Sequence, residues 1–303
     1  MIARHTFHDL LWIELESPTH DDVRGLMEEF DIHPIVADEL LSPSTQPKVD
    51  HYENFVYLVL HFPALRHSHE HALQEVDFII SKKFLITVRY ETIDPLHKFS
   101  KVFEVNSILD KSDFGDHAGF LFYYMIRKLY ASLLHEVAAM GDGLLRAEER
   151  IFSGEERKMV EEISRLSRNI LLFHRALRLH GPTLHSMKIA TEEFFGPDFR
   201  HHAESIVDEY RKVEEALEHQ KEMLHDLRET NTSLLTTKTN ESIKALTTLN
   251  ALILPGSFIA WIFAVDAADM PIRGMIGDFW FILGIMIFVS IANFSYLRYR
   301  KWI

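Results

Sequence analysis

Polar side chains recur along one face of an apolar segment near the carboxyl end of the chain. Steps of alternately three and four residues pass through Asn240, Ile243, Thr247, Asn250, Leu254, Ser257, Trp261 and Ala264, which we call the polar seam. A spacing of about 3.5 residues places these positions on one side of a helix. Polar groups in hydrocarbon turn away from lipid, toward protein or water. The seam is therefore expected to face either partner helices or an aqueous path.

Two interpretations of the polar seam remain open at this point. In the first, its amides and hydroxyls bond to backbone carbonyls or across helices and only stabilise packing. In the second, several copies of the helix surround a water-filled path, which requires an oligomer because two spans per chain cannot enclose a pore. Acidic residues after the seam, Asp266 and Asp269, and the charged helix before it favour the second interpretation.

Two apolar segments are long enough to cross a bilayer. The first runs from Ala245 to Val265 and contains a single proline, Pro255, and the second runs from Phe279 to Leu297 without a charge. Each has about 20 residues, which as a helix span roughly 30 Å of hydrocarbon. Pro255 is expected to bend the first helix or to free a carbonyl, which a membrane helix tolerates. The amino terminus lacks a signal-peptide core, so insertion is expected to use these two helices.

Basic residues are unevenly distributed around the two spans. Two lysines precede the first span, and two arginines and a lysine follow the second, whereas residues 266–278 contain three aspartates and one arginine. Basic residues mark the cytoplasmic side of membrane helices. Both termini are therefore expected in the cytoplasm, with a short acidic loop outside.

A single long helix is expected to carry the polar seam. After Pro197 the chain has no proline until Pro255 and no glycine until Gly256, which favours one helix over about residues 200–265. At 1.5 Å per residue such a helix is roughly 95 Å long. Its first two-thirds are charged and its last third is apolar. We interpret it as a cytoplasmic stalk that continues into the membrane.

The sequence before the stalk indicates a soluble α/β region. Strand patterns occupy residues 10–15, 54–65 and 75–90, and helical patterns occupy 17–30 and 33–42, with Ser17 or Thr19 as a cap. Two long helices are predicted over 118–153 and 155–180, the second ending at Gly181 and Pro182. The predicted order of regions along the chain is a cytoplasmic α/β domain (1–115), a cytoplasmic helical region (116–197), the stalk and first span (198–265), an external loop (266–278), a second span (279–298) and a basic cytoplasmic tail (299–303).

Composition excludes several classes of function. A formal net charge of −13 argues against a nucleic-acid partner, and the absence of cysteine excludes thiolate metal sites. No nucleophile–base arrangement or phosphate-binding loop is present, so neither an enzyme nor a catalytic cofactor is predicted. Three alternating histidines, His67, His69 and His71, are compatible with a Zn²⁺ site but more typical of a solvated turn.

Motifs along nearly the whole chain resemble the CorA-type divalent cation transporters, the two-span GxN family. These motifs are QPKVDHYENFVYLVLHF (46–62), FIISKKFLITVRYE (78–91), TNESIKALTTLNALILPGSFIAWIF (239–263), DMPI (269–272) and the ending RYRKWI. The resemblance implies a CorA-like homopentameric funnel in a bacterial inner membrane. It would consist of a cytoplasmic α/β domain, a long stalk helix and two C-terminal transmembrane helices, and would carry Mg²⁺ or, in some branches, Co²⁺, Ni²⁺ or Zn²⁺.

Site residues follow from the resemblance by position. Leu246 joins the members of the polar seam as a pore-lining residue, and Asn240, Asn250, Asp266 and Asp269 would contact the ion. The expected partners are thus divalent cations, membrane lipid and further copies of the chain. Family members also sense Mg²⁺ through cytoplasmic acidic residues. Glu204, Asp208 and Glu209 lie on the early stalk, where a solvated helix face is the simpler interpretation.

The pore signature of the family is absent. Gly-Met-Asn should fall at residues 264–266, where this chain has Ala-Val-Asp, and Trp261 occupies a position where the family has glycine. Asp266 would place a carboxylate ring where the family uses amides that contact hydrated Mg²⁺. Trp261 narrows the pore if it points inward, and is an ordinary packing aromatic if it points outward. The alternative function is therefore a CorA-like cation sensor or scaffold that conducts weakly or not at all.

Overall fold

The computed structural model describes residues 2–7, 9–63, 73–90, 116–265 and 277–300. The chain divides into a compact unit over residues 1–228 and a second unit over residues 229–303. The first contains the mixed α/β region, and the second contains both apolar segments.

A six-stranded mixed sheet forms the centre of the first unit. Its strands are β1 (Ile2–Phe7), β2 (Leu10–Glu16), β3 (Lys48–His51), β4 (Val56–Pro63), β5 (Leu73–Ile80) and β6 (Phe84–Arg89). Their order is β1-β2-β6-β5-β4-β3, and among these described strands only the β2–β6 pair is parallel. The strands predicted over 10–15, 54–65 and 75–90 are confirmed as β2, β4 and the β5–β6 hairpin, except that residues 64 and 65 lie outside the described residues. Strand β1, which pairs with β2 at the sheet edge, was not predicted from the sequence.

Helices connect and cover the sheet. They are α1 (His20–Phe30), α2 (Pro34–Glu39), α3 (Ala118–Phe152), α4 (Glu156–Leu177) and α5 (His180–Phe195), and a 3₁₀ turn (Pro197–Phe199) follows. Thr19 is the N-cap of α1, as one of the two alternatives predicted. Its hydroxyl accepts a hydrogen bond from the Asp22 amide, and the Asp22 carboxylate accepts one from the Thr19 amide. This capping box satisfies two donors that a helix start leaves free.

The predicted end of the second long helix at Gly181 and Pro182 is wrong. The helix α4 already ends at Leu177, and both residues lie in the first turn of α5. Proline is tolerated there because the amide that it lacks would have no acceptor within the helix. Gly181 also lies against Tyr210, whose hydroxyl would be 3.3 Å from an added Cβ.

The sheet is covered on both faces. Side chains of a strand alternate between faces, so Tyr57 and Val59 join the core beneath α1 and α2. On the other face, the ring of Phe62 lies 6.1 Å from that of Tyr130 in α3. The whole of β4 is buried in consequence.

A buried histidine ties the sheet to the helices. His180 at the start of α5 is fully buried, and its Nε2 donates to the carbonyl of His61 in β4 at 2.8 Å. Its Nδ1 is therefore unprotonated and accepts from the Tyr130 hydroxyl at 2.8 Å. Burial lowers the pKa of His180 to about 4, so the ring stays neutral in the folded protein.

A buried carboxyl pair lies on β5. The Glu75 carboxylate accepts hydrogen bonds from the Ser44 amide and lies 3.0 Å from His61 Nε2. Asp77, two residues along the same face, accepts from the hydroxyls of Tyr57 and Tyr90, each at 3.4 Å. Burial raises the pKa of Asp77 well above its usual value, and the charge of Glu75 adds to the effect.

Replacing Asp77 with asparagine is expected to protect the fold at alkaline pH. The folded state of the native protein holds a proton on Asp77 that the unfolded chain releases above about pH 4, so stability falls as pH rises through the raised pKa. Asparagine matches the protonated acid in shape and does not titrate. Melting temperatures between pH 5 and pH 9 should therefore fall less in Asp77→Asn than in the native protein. Asp21→Asn, at an exposed position, is the matched control; equal slopes for all three proteins contradict the assignment.

A candidate ion-conduction helix

The helix α6 (Arg200–Ala264) carries the polar seam, and α7 (Asp278–Tyr299) follows it. The prediction of one continuous helix over about 200–265 is confirmed. By length and composition, the apolar part of α6 and the whole of α7 qualify as membrane spans, and little of either is buried within the chain. Their large side chains therefore require lipid or further protein around them.

The charged part of α6 belongs to the first unit as far as Arg228, and apolar contacts and ion pairs hold it there. Ala203, Ile206 and Tyr210 are buried at helical spacing. The Glu204 carboxylate lies 2.7 Å from Lys188 Nζ, and this ammonium group lowers its pKa. Glu209 lies 3.4 Å from Arg127.

The three stalk carboxylates considered as cation sensors thus have basic partners in this chain. The third, Asp208, lies 3.7 Å from Arg211. Within the described ranges, no group of three or more histidine, aspartate or glutamate side chains is arranged to hold a metal ion. The alternating histidines His67, His69 and His71 lie outside the described residues.

Hydroxyl groups at the entry to the first span are satisfied within their own helix. Thr236, Thr239 and Ser242 each donate to the carbonyl four residues earlier, at 2.9, 2.8 and 2.9 Å. Such bonds remove the need for another partner in an apolar environment. These three residues are not members of the polar seam.

The polar members of the seam differ from these neighbours. Asn240, Thr247 and Asn250 are exposed and Ser257 is half-buried, and in the described part of the chain none of their side chains has a hydrogen-bond partner. Polar groups without partners in hydrocarbon are costly. These side chains are therefore available to water or to another copy of the chain.

Apolar members of the seam are exposed in the single chain as well. Ile243, Leu254 and Trp261 expose 55%, 58% and 66% of their surface, and the neighbouring Leu246 exposes 63%. Ala264 at the end of α6 is also exposed. The next two predicted ion contacts, Asp266 and Asp269, lie outside the described residues.

The second span packs on the back of the seam. Gly256 is buried, and an added Cβ would lie 3.8 Å from Ser290 Oγ and 4.0 Å from Met286 Cε, both in α7. At about 100° per residue, Gly256 points about 100° away from Ser257 and about 160° away from Leu254. Since α7 occupies that side, the seam faces away from it.

A polar residue of α7 that the sequence analysis missed completes this contact. The Asn293 amide Nδ2 donates to the backbone carbonyl of Ala251 in α6 at 2.5 Å. Ala251 lies four residues before Pro255, which has no amide hydrogen to offer that carbonyl. The available signal was an amide side chain within an uncharged span, opposite a helix that contains proline.

Comparisons with known proteins match this chain to CorA proteins over nearly its full length. The family model of the CorA-like Mg²⁺ transporter protein matches residues 7–300. The cobalt/magnesium transport protein CorA of Thermotoga maritima is 23% identical over 96% of this chain and 83% of its own. The corresponding protein of Methanocaldococcus jannaschii is 20% identical over 97% of this chain and 92% of its own. The complete structure of the latter organism's CorA magnesium transporter superposes with a TM-score of 0.83 at 19% identity, covering 99% of this chain and 94% of that one.

Proposed function

The chain belongs to the CorA-like Mg²⁺ transporter protein family, and from this premise we propose that it carries divalent cations across a bacterial inner membrane. Copies of α6 would surround the path, with the polar seam facing it and α7 outside. The observation that carries this proposal is the seam itself, whose polar side chains lack partners within the described chain and point away from α7. A homopentamer is the assembly expected from the resemblance to the family.

The outer end of the path is acidic in this proposal. Asp266 and Asp269 follow α6 directly in sequence, and a ring of such carboxylates concentrates cations. Ionising all of several closely spaced carboxylates is costly without a cation, so they would titrate as a coupled set. This ring replaces the neutral amides of the family signature. Both termini would lie in the cytoplasm, as the distribution of basic residues indicates.

The cargo is proposed to be Mg²⁺ or Co²⁺, which the names of both CorA relatives give as the ions that those proteins transport. Zn²⁺ and Ni²⁺ are further candidates, since the resemblance implies that some branches of the family carry them. Neutral amide oxygens of Asn250 and Asn240 would contact the ion below the mouth.

Flux into proteoliposomes tests the proposal. We expect the purified protein to admit Mg²⁺ and Co²⁺ down their gradients, as measured with an ion-sensitive dye inside the vesicles. Vesicles without protein and vesicles with heat-unfolded protein serve as controls. Zn²⁺ and Ni²⁺ are measured in parallel to rank the ions. No flux of any of the four, with an intact oligomer in the vesicles, contradicts the proposed function.

A cation sensor or scaffold without conduction is the second candidate. It is favoured by Trp261, which is exposed on the seam where the family has glycine, together with the loss of Gly-Met-Asn. In this case the native protein shows no Mg²⁺ flux, and the combined change Trp261→Gly and Asp266→Asn creates one. Substantial flux through the native protein contradicts this second candidate.

A further inference from the structure

The carbonyl of Ala251 has lost its ordinary partner. In an α-helix the amide of each residue bonds to the carbonyl four positions earlier, and the residue four positions after Ala251 is Pro255. Proline supplies no amide hydrogen, and its ring presses on that same carbonyl. Within an apolar span, an unsatisfied carbonyl is costly because no water is present.

The amide of Asn293 takes the vacant place. Its Nδ2 lies 2.5 Å from the Ala251 oxygen, and the bond is half-buried between α6 and α7. The side-chain amide of Asn293, in a different helix, thus replaces the backbone amide that residue 255 would normally supply. Both groups are N–H donors of the same type. The bond therefore joins the two spans at the point where proline interrupts the first.

The surrounding contacts fix the position of this bond. Met286, Ser290 and Asn293 follow one another at spacings of four and three residues, so they share one face of α7. The first two lie beside Gly256, the residue after Pro255. The close approach of the two backbones at Gly256 brings the Asn293 amide within reach of Ala251.

We propose that Asn293 is a positioning residue for α6, and that its amide sets the angle between the helix segments before and after Pro255, which we call the bend. The polar seam passes through the bend, since Asn250 and Leu254 precede Pro255 and Ser257 follows it. A change in the bend therefore tilts Ser257 and Trp261 relative to Asn250. The effect on conduction rests on the proposed function, whereas the effect on the helix itself does not.

A double-mutant cycle separates this role from general packing. Asn293→Leu removes the donor at similar size, and Pro255→Ala restores a backbone amide for Ala251. The loss of Asn293 should therefore matter when residue 255 is proline and have no effect when it is alanine. Ser290→Ala, on the same face of α7 and without this bond, is the matched control.

The bend can be measured without ion flux. The chain has no cysteine, so spin labels at Lys244→Cys and Ile262→Cys report one distance across Pro255, about 27 Å for a straight helix. Labelled chains are diluted into cysteine-free oligomers, so that each signal comes from one chain. We expect Asn293→Leu to shift or broaden this distance, and to leave it unchanged in the Pro255→Ala background.

The outcomes divide clearly. An unchanged distance in Asn293→Leu, or an equal shift in both backgrounds, overturns the proposal. If Asn293→Leu fails to assemble, recovery of assembly in the double variant with Pro255→Ala supports the proposal. Failure of that double variant, when Pro255→Ala by itself assembles, overturns the proposal. In proteoliposomes we expect Asn293→Leu to change Mg²⁺ influx at least fivefold and Ser290→Ala to leave it unchanged. If the distance depends on Asn293 only when residue 255 is proline, but the protein conducts no ion, the proposed function is wrong and the role of Asn293 is still supported.

Discussion

Replacing Trp261 with glycine is expected to raise the rate of Mg²⁺ influx about tenfold, equivalent to a barrier lower by about 1.4 kcal/mol. Trp261 lies on the polar seam and exposes 66% of its surface in the single chain. In an oligomer with the seam inward, each copy would place one indole, with roughly 200 Å² of surface, in the path. Glycine removes this obstruction and restores the residue that the resembling family has there.

A tryptophan on the other span provides the matched control. Trp280 in α7 exposes 72% of its surface, so Trp280→Gly removes an equal volume from a helix that does not carry the seam. We expect this variant to assemble less stably, because glycine weakens a helix by about 1 kcal/mol, but to conduct at the native rate. Initial rates are compared at equal numbers of intact oligomers per vesicle. Equal acceleration in both variants, or none in Trp261→Gly, would place Trp261 outside the path.

Replacing His180 with glutamine is expected to abolish a large part of the acid sensitivity of the first unit. In the folded state the pKa of this ring is lowered from 6.5 to about 4, so the ring stays neutral until the pH falls to about that value. Between these values the unfolded chain binds a proton that the folded chain refuses, so stability falls as pH drops from 6.5 toward 4. The interval corresponds to about 3 kcal/mol for this fully buried group.

Melting experiments between pH 7.5 and pH 4.5 measure this contribution. At pH 7.5 we expect His180→Gln to be less stable than the native protein by about 2 kcal/mol, because Tyr130 and the His61 carbonyl lose well-placed partners. The difference should shrink as the pH falls, since only the native protein is penalised by protonation. His185→Gln, at an exposed position on the same helix, is the control and should follow the native curve. A constant difference across this range contradicts the assignment.

Local sequence signals predicted the long elements well. The continuous α6 followed from the absence of proline and glycine between Pro197 and Pro255, and this absence is a purely local property. The Thr19 cap and the β5–β6 hairpin were predictable for the same reason. The start of α5 was not, because Gly181 and Pro182 signal a break equally well whether they end one helix or begin the next.

The candidate site was predictable only in part. Spacing alone placed the seam on one side of α6, since helical periodicity requires no knowledge of neighbours. The Asn293–Ala251 bond depends on which faces of two helices meet, and neither span encodes that in its own pattern. The side on which the seam meets water is set by further copies of the chain, so the direction of Trp261 could not be predicted from helical spacing alone.

The self-bonded hydroxyls at the entry to the first span have a consequence for the surrounding lipid. Thr236, Thr239 and Ser242 carry their acceptors with them on the same helix. These three hydroxyls therefore stay satisfied wherever the surface of the bilayer lies along this stretch. Natural membranes differ in thickness by a few ångströms, and the mismatch has a cost for each ångström. The hydroxyls of the entry segment therefore add no polar cost when the membrane thickens, and the charges of Lys238, Glu241 and Lys244 set how far the segment can enter it.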